Sequence, residues 1–265
     1  MKKLLFVIFT LLLVIGCSNK NPKEYGVFLG INENEINKLD DYMIVVIEPT
    51  EFSKEEIQTL KNKGKTVYGY LNIGSIETYR PYYIEFSDIT LDEYENWQDE
   101  YWIDITSLKW QDFIINDIGK DYVDMGFDGL FIDNTDIYYH YQNKEVFNSI
   151  YNILKGLKSY DIKLIINGGD LFVSKCIDTN IAKSLFDAIN QETVFTSIDF
   201  ENKEYGLQSI EETEYFKEYL NKVKEYGLPI FLIEYNPNKS LIQNIDNYCH
   251  ENGFIWYNAD SIDLK

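Results

Sequence analysis

Carboxylate and amide side chains recur in this chain directly after short apolar runs. Met43–Ile47 leads into Glu48-Pro49, Thr66–Leu71 carries Tyr70 and stops at Asn72, and Gly129–Ile132 leads into Asp133-Asn134-Thr135-Asp136. Lys163–Ile166 is followed by Asn167, and Phe186–Ile189 by Asn190-Gln191-Glu192. Ile230–Ile233 is followed by Glu234-Tyr235, and Phe254–Tyr257 by Asn258-Ala259-Asp260. A single acidic residue at such a point is commonly a helix cap. Several converging on one mouth make an acidic, amide-rich cup, with acceptors for sugar hydroxyls and a carboxyl pair for the chemistry. Rival chemistries lack parts. There are two histidines, His140 and His250, in helical regions after the fourth and seventh runs, which disfavours a His-rich zinc site. No Gly-x-Ser-x-Gly elbow or phosphate loop occurs. Carboxylate-only chemistry remains, with glycoside cleavage its most common use, and neither metal nor cofactor is expected.

With Tyr25–Leu29 the apolar runs number eight, and most are continuously apolar, as parallel strands covered on both sides are. Amphipathic stretches lie between them. Ser53-Lys54-Glu55-Glu56 has the form of a capping box, and Gly64 is a C-terminal stop. Residues 111–125, 145–160, 211–226 and 239–252 repeat the helical spacing, with glycines after three of them. Residues 30–42 are only weakly helical. Eight strand–helix units predict an α/β fold, a single-domain (β/α)8 TIM-like barrel whose reacting groups sit at the C-terminal ends of the strands. An open doubly wound sheet is the alternative.

The N-terminus reads differently. Met1-Lys2-Lys3 precedes an apolar run, Leu4–Ile15, too short to span a bilayer, which takes roughly 20 residues. It ends in Val14-Ile15-Gly16-Cys17, which resembles the lipobox of bacterial lipoproteins. That predicts a signal peptide over 1–16, a lipidated Cys17 with a polar tether over 17–24, and the barrel over 25–265. Two acyl chains on one cysteine hold a protein to a membrane lastingly. The cell envelope, on the extracytoplasmic face, is therefore the expected location. Removing Lys2 and Lys3 takes the formal charge from -20 to -22. Such a surface repels nucleic acid and attracts cationic partners. Cys176 and Cys249 are expected to be separate buried thiols, and the protein a monomer.

The segments 43–49 (MIVVIEP), 66–80 (TVYGYLNIGSIETYR), 97–105 (WQDEYWIDI), 126–136 (GFDGLFIDNTD) and 186–192 (FDAINQE), in that order, resemble the endo-α-1,4-polygalactosaminidase family, glycoside hydrolase family 114. The resemblance runs from about residue 25 to the C-terminus. It implies a TIM-like barrel that cuts galactosamine-containing exopolysaccharide with retention, Asp133 as nucleophile and Glu192 as acid/base. Two positions depart from the pattern: Glu48 stands where an Asp before proline is usual, and Ser75 where an acidic residue is common. Both put subsite detail in question more than the chemistry.

The residues read on their own agree. Strand alternation turns Asp133 into the mouth together with Phe131 and Gly129, while Asp128, at the other end, reads as a stability residue. Carboxyls after strands four and six fit the ~5–5.5 Å separation of a retaining enzyme if the longer Glu reaches inward. Glu192, as acid, is expected to be the less solvated of the pair, with a raised pKa. Around them, Glu48, Tyr70, Asn72, Arg80, Asn134, Asp136, Asn167, Glu234, Tyr235 and Asn258 are the candidate substrate-binding residues. Arg80 is the only arginine; near a mouth carboxylate it would hold that group ionised, and in solvent it would be an ordinary surface residue. Trp97, Trp102 and Trp110 lie in an acidic excursion over 85–110, where packing is the default and a sugar cleft the alternative. The expected partner is a cationic amino-sugar polysaccharide. A non-catalytic surface lipoprotein that binds cationic glycan is the competing reading, though a binding module needs neither Asp133 nor Glu192. A two-lobed binder of a small cationic solute lacks any sign of a hinge.

Overall fold

The computed structural model describes residues 23–265. The signal peptide, Cys17 and most of the tether lie outside the described residues. Eight parallel strands follow one another around a nearly closed barrel: β1 (Lys23–Phe28), β2 (Tyr42–Ile47), β3 (Thr66–Asn72), β4 (Gly129–Asp133), β5 (Lys163–Asn167), β6 (Ala188–Glu192), β7 (Ile230–Tyr235) and β8 (Ile255–Ala259). Strand β1 starts two residues inside the predicted tether. No ladder joins β8 to β1, but the strands lie side by side. The rings of Tyr25 and Phe28 meet Tyr257 there at 6.5 and 5.5 Å, and Gly30 N–H donates to the Leu264 carbonyl at 3.1 Å.

The longer helices are α1 (Lys54–Asn62), α2 (residues 108–125), α3 (Lys144–Lys158), α4 (Asp170–Asp178), α5 (Ile210–Tyr226) and α6 (Lys239–Asn252). Helix α1 starts in the predicted capping box: Ser53 N–H donates to Glu56 at 2.7 Å and Glu56 N–H to Ser53 Oγ at 3.3 Å. Left-handed Gly227 and Gly253 end α5 and α6. The first link is a 3-10 helix, Glu33–Leu39, so the weak signal there marked a real irregularity. Helix α2 contains a π-helical stretch, Phe113–Gly119.

Two excursions rise above the barrel; the sequence showed the first, over 85–110, but not its strands, and did not show the second. After β3, the segments Ser75–Glu77, Thr90–Glu93 and Glu100–Ile103 form a three-stranded antiparallel sheet. After β6, Thr196–Asp199 and Glu204–Leu207 form a hairpin. At the opposite end Asp128 has the stabilising role expected of it, accepting from Val67 N–H at 2.9 Å and pairing with Lys61 at 2.9 Å. Cys176 and Cys249 are free, buried thiols.

Candidate active site

Ladder register brings the chemistry-bearing residues to one end. Asn72 pairs with Asp133, Asn167 with Asn190, and Ile233 with Glu192, so β3 to β7 all finish at the same mouth. Directly after β4 the chain turns through Asn134, whose φ of 61° is left-handed, a conformation Asn tolerates better than most residues. The turn presses on the end of β3: a Cβ on Gly74 would lie 1.9 Å from the Asn134 carbonyl oxygen. Only glycine fits there, and the contact fixes the height of the strand end that carries Asp133.

A cavity of ≈ 830 Å³ opens at this mouth. Asp133 and Glu192 face one another in it, joined by a single amide. Asn167 Nδ2 donates to Asp133 Oδ1 at 2.8 Å and to Glu192 Oε1 at 2.8 Å. Those two oxygens therefore lie no farther apart than twice that length. Asn190 Nδ2 holds the other end of the Asn167 amide at 2.7 Å, and Tyr25 OH holds Asn190 at 3.1 Å. The Tyr70 hydroxyl donates to Asp133 Oδ2 at 2.7 Å, and the Tyr235 hydroxyl donates to Glu192 Oε2.

Burial drives both carboxyls upward in pKa, so the shift is not confined to Glu192 as expected. Donors separate them instead. Tyr70, Asn167 and the Asn134 backbone oppose the rise at Asp133, and only Tyr235 and Asn167 do so at Glu192; a neighbouring charge pushes each further up, Glu77 at Asp133 and Asp133 at Glu192. More donors on Asp133 favour its ionised form, and fewer on Glu192 its protonated form.

Arg80 lies in the cup, not in solvent. Its guanidinium holds Glu48 through Nη1 and Nη2 at 3.0 and 3.1 Å, and Glu77 through Nε and Nη2, both at 3.0 Å. All three groups are largely buried, and the two carboxylates raise the pKa of the guanidinium against the opposing effect of burial. Asn134 and Asp136 also line the cavity. Burial raises Asp136 to about 7, against the Gly169 N–H that donates to it at 3.1 Å.

Two predicted residues are elsewhere. Glu234 is fully buried behind the strand and accepts from Phe195 N–H, Thr196 N–H and the Thr196 hydroxyl at 3.0, 2.8 and 2.6 Å. It anchors the loop leading to the hairpin, and burial lifts it to about 7. Asn258 pairs with Glu234 in register and is exposed. Since Tyr235 reaches Glu192, alternation turns Glu234 and its partner Asn258 away from the barrel axis. A third, Asn72, is at the mouth but buried beneath another residue, Glu100.

Glu100 and Glu77 are the site residues that sequence reasoning missed. Glu100 arrives from the excursion sheet and meets the Ser75 hydroxyl, at the position where the resemblance had flagged a missing acid. The carboxyl is present, carried by another strand. Of the tryptophans, Trp102 and Trp110 are core, whereas Trp97 is 44% exposed and lines the cavity. It meets Phe200, from the tip of the hairpin after β6, with ring centroids 6.1 Å apart. The two excursions thus touch at the rim.

Facing carboxyls in a polar cup at the C-terminal mouth of a parallel barrel are the equipment of a glycoside hydrolase. The chain belongs to glycoside-hydrolase family GH114, whose sequence profile it matches over residues 18–261. No curated protein matches it significantly. Among solved structures it is similar to the glycoside hydrolase domain of PelA from Pseudomonas aeruginosa, with 17% identity, TM-score 0.77, and coverage of 92% of this chain and 96% of that one. It is also similar to Aspergillus fumigatus Ega3 in complex with galactosamine, with 16% identity, TM-score 0.70 and 92% of each chain covered. A more distant likeness is the α-galactosidase TtGalA from Thermus thermophilus, with 10% identity and TM-score 0.58, over 92% of this chain and 59% of that one. At these identities the likenesses establish the fold.

Proposed function

We propose that the protein is an endo-acting, retaining glycoside hydrolase that cuts galactosamine-containing exopolysaccharide outside the cell, with Asp133 as nucleophile and Glu192 as acid/base. The observation that carries this reading is the Asn167 clamp. Two 2.8 Å bonds from one nitrogen keep the facing oxygens nearer than the ~6.5–9.5 Å that an inverting enzyme reserves for its water. Asp133, the richer in donors of the pair, attacks the anomeric carbon as its glycosidic bond breaks, and Glu192 gives its proton to the departing oxygen. Water, deprotonated by Glu192, then releases the sugar from Asp133. A carboxylate-lined cup suits a cationic substrate, and galactosamine in the Ega3 complex is consistent with that choice. NMR of the first-formed product is expected to show the retained anomer, with turnover by Asp133→Asn reduced at least ~10³-fold. An inverted anomer would remove Asp133 as nucleophile.

Lipidation of Cys17 would hold the enzyme at the extracytoplasmic face of the cell envelope. Cys17→Ala is expected to abolish lipid labelling and membrane retention; a variant that stays on the membrane would refute the anchor.

A further inference from the structure

Arg80 is the only cationic residue lining the cavity among the described residues, and it is engaged by Glu48 and Glu77. Asp133 and Glu192 are joined through Asn167. Glu100 belongs to neither pair, yet it is held firmly. Its Oε1 accepts from Asn72 Nδ2 at 3.0 Å, from Asn134 Nδ2 at 3.1 Å and from the Ser75 hydroxyl, all three on buried side chains. Asn134 is in turn held by the Tyr94 hydroxyl at 3.3 Å. Among the described residues Oε2 has no partner, and Glu100 lines the cavity. One oxygen is anchored and the other is left free, in a cup with no spare cation.

We infer that Glu100 selects the free amino group of the substrate, its Oε2 taking the ammonium of a bound sugar unit. Glu100 can act so only if the cup takes an amino sugar, as proposed above. The ammonium supplies the missing countercharge and a charge-assisted hydrogen bond. An N-acetyl group offers one neutral N–H and more bulk, and leaves the carboxylate desolvated without a partner. Such discrimination rests on a polar group that the wrong ligand covers without pairing, the strongest device a polar pocket has.

The chemistry also makes recognition sensitive to pH. Burial lifts Glu100 to about 7, with the charges of Glu77 and Asp133 adding to the rise and the Ser75 and Asn72 donors opposing it. Tyr70 and Tyr94 nearby have raised pKa values and stay neutral, and Arg80 is held by Glu77 and Glu48. Below about 7 the carboxyl must lose its proton before it can take an ammonium, so apparent affinity for the amine falls with falling pH.

The test compares wild type with Glu100→Gln on two polymers of one linkage, α-1,4-polygalactosamine and its fully N-acetylated form. The ratio of kcat/KM for amine over acetamide is expected to fall roughly 10- to 100-fold, chiefly through KM on the amine polymer. The acid limb of that KM near pH 7 is expected to shrink, leaving only what Asp136, also raised to about 7 in this cavity, contributes. Equal losses on both polymers, or an acid limb unchanged in the variant, would overturn the inference. If wild type cuts neither polymer, the proposed activity fails while Glu100 is still tested by calorimetry. Galactosamine should then bind wild type more tightly than N-acetylgalactosamine does, and Glu100→Gln should lose that preference; a preference kept, or absent in wild type, overturns it. Should that variant not fold, Ser75→Ala removes one anchor of Oε1, and an undiminished amine preference in it is equally adverse.

Discussion

Asn167 concentrates several tasks in one amide. It spaces the two carboxyls, supplies each with a donor, and lowers the pKa of both against burial. Asn167→Ala is therefore expected to reduce kcat roughly 10- to 100-fold with a smaller change in KM. The sign of the pH effect follows from the lost donor. Both carboxyls rise, so the limb set by protonation of Asp133 and the limb set by ionisation of Glu192 move together, and the rate optimum shifts to higher pH. A pH–rate profile checks this; an optimum that stays in place or moves acidward would contradict the clamp. At this scale the sequence was readable wherever a side chain ends a strand, since strand termini are local features. Asp133, Tyr70, Asn167 and Glu192 all come together as those termini predicted. Glu234 and Asn258 show the limit of reading termini alone. Adjacent residues on a strand cannot both face the axis, and choosing Tyr235 turned Glu234 outward.

Secondary-structure elements were legible in proportion to how locally they are specified. Parallel barrel strands are mostly continuous apolar runs, so all eight could be found without knowing their neighbours. Five helices showed themselves by caps, spacing or glycine stops; α4, Asp170–Asp178, was not read. The strands of the excursion sheet and the hairpin are only three or four residues each, and the sheet exists because segments far apart in the chain pair. Thr90–Glu93 is polar, and Glu100–Ile103 is too short to show a period of its own. Glu77 and Glu100 were hidden for that reason. Contact between excursion and barrel predicts an outcome at Gly74. Its φ is not left-handed, so the constraint is steric: Gly74→Ala must displace the turn at Asn134 or the end of β3. The cost is expected to be about 1–3 kcal/mol of stability, and because the displaced turn follows Asp133, turnover should fall in protein that is still folded. Thermal melting and kinetics on the same preparation check both; full activity would show that the turn can yield freely.

On the scale of the whole molecule, the formal charge of -20 and the carboxylate-lined cup act in the same direction. For the substrate proposed above, the surface field would raise the local concentration of a polycation, and the cup would then sort its units. Net charge could be counted in the sequence, but how the cup distributes it could not. The arrangement of one arginine between two glutamates, one amide between two facing carboxyls, and Glu100 anchored by one oxygen depends on side chains from five strands and an excursion.

The meeting of Trp97 with Phe200 has a consequence for long polymers. Under the proposed function, two arms that touch would turn part of the open mouth into an eyelet. A chain end can be threaded through an eyelet, but the middle of a long strand enters sideways only when the clasp opens. Cutting within a long polymer then carries a step that cutting short fragments does not, namely the separation of two rings. Arms that touch also resist escape, so a strand once enclosed can slide and be cut again before it leaves. The first fragments released from long chains would then be short and closely spaced in size, whereas removing either ring would scatter them across all lengths.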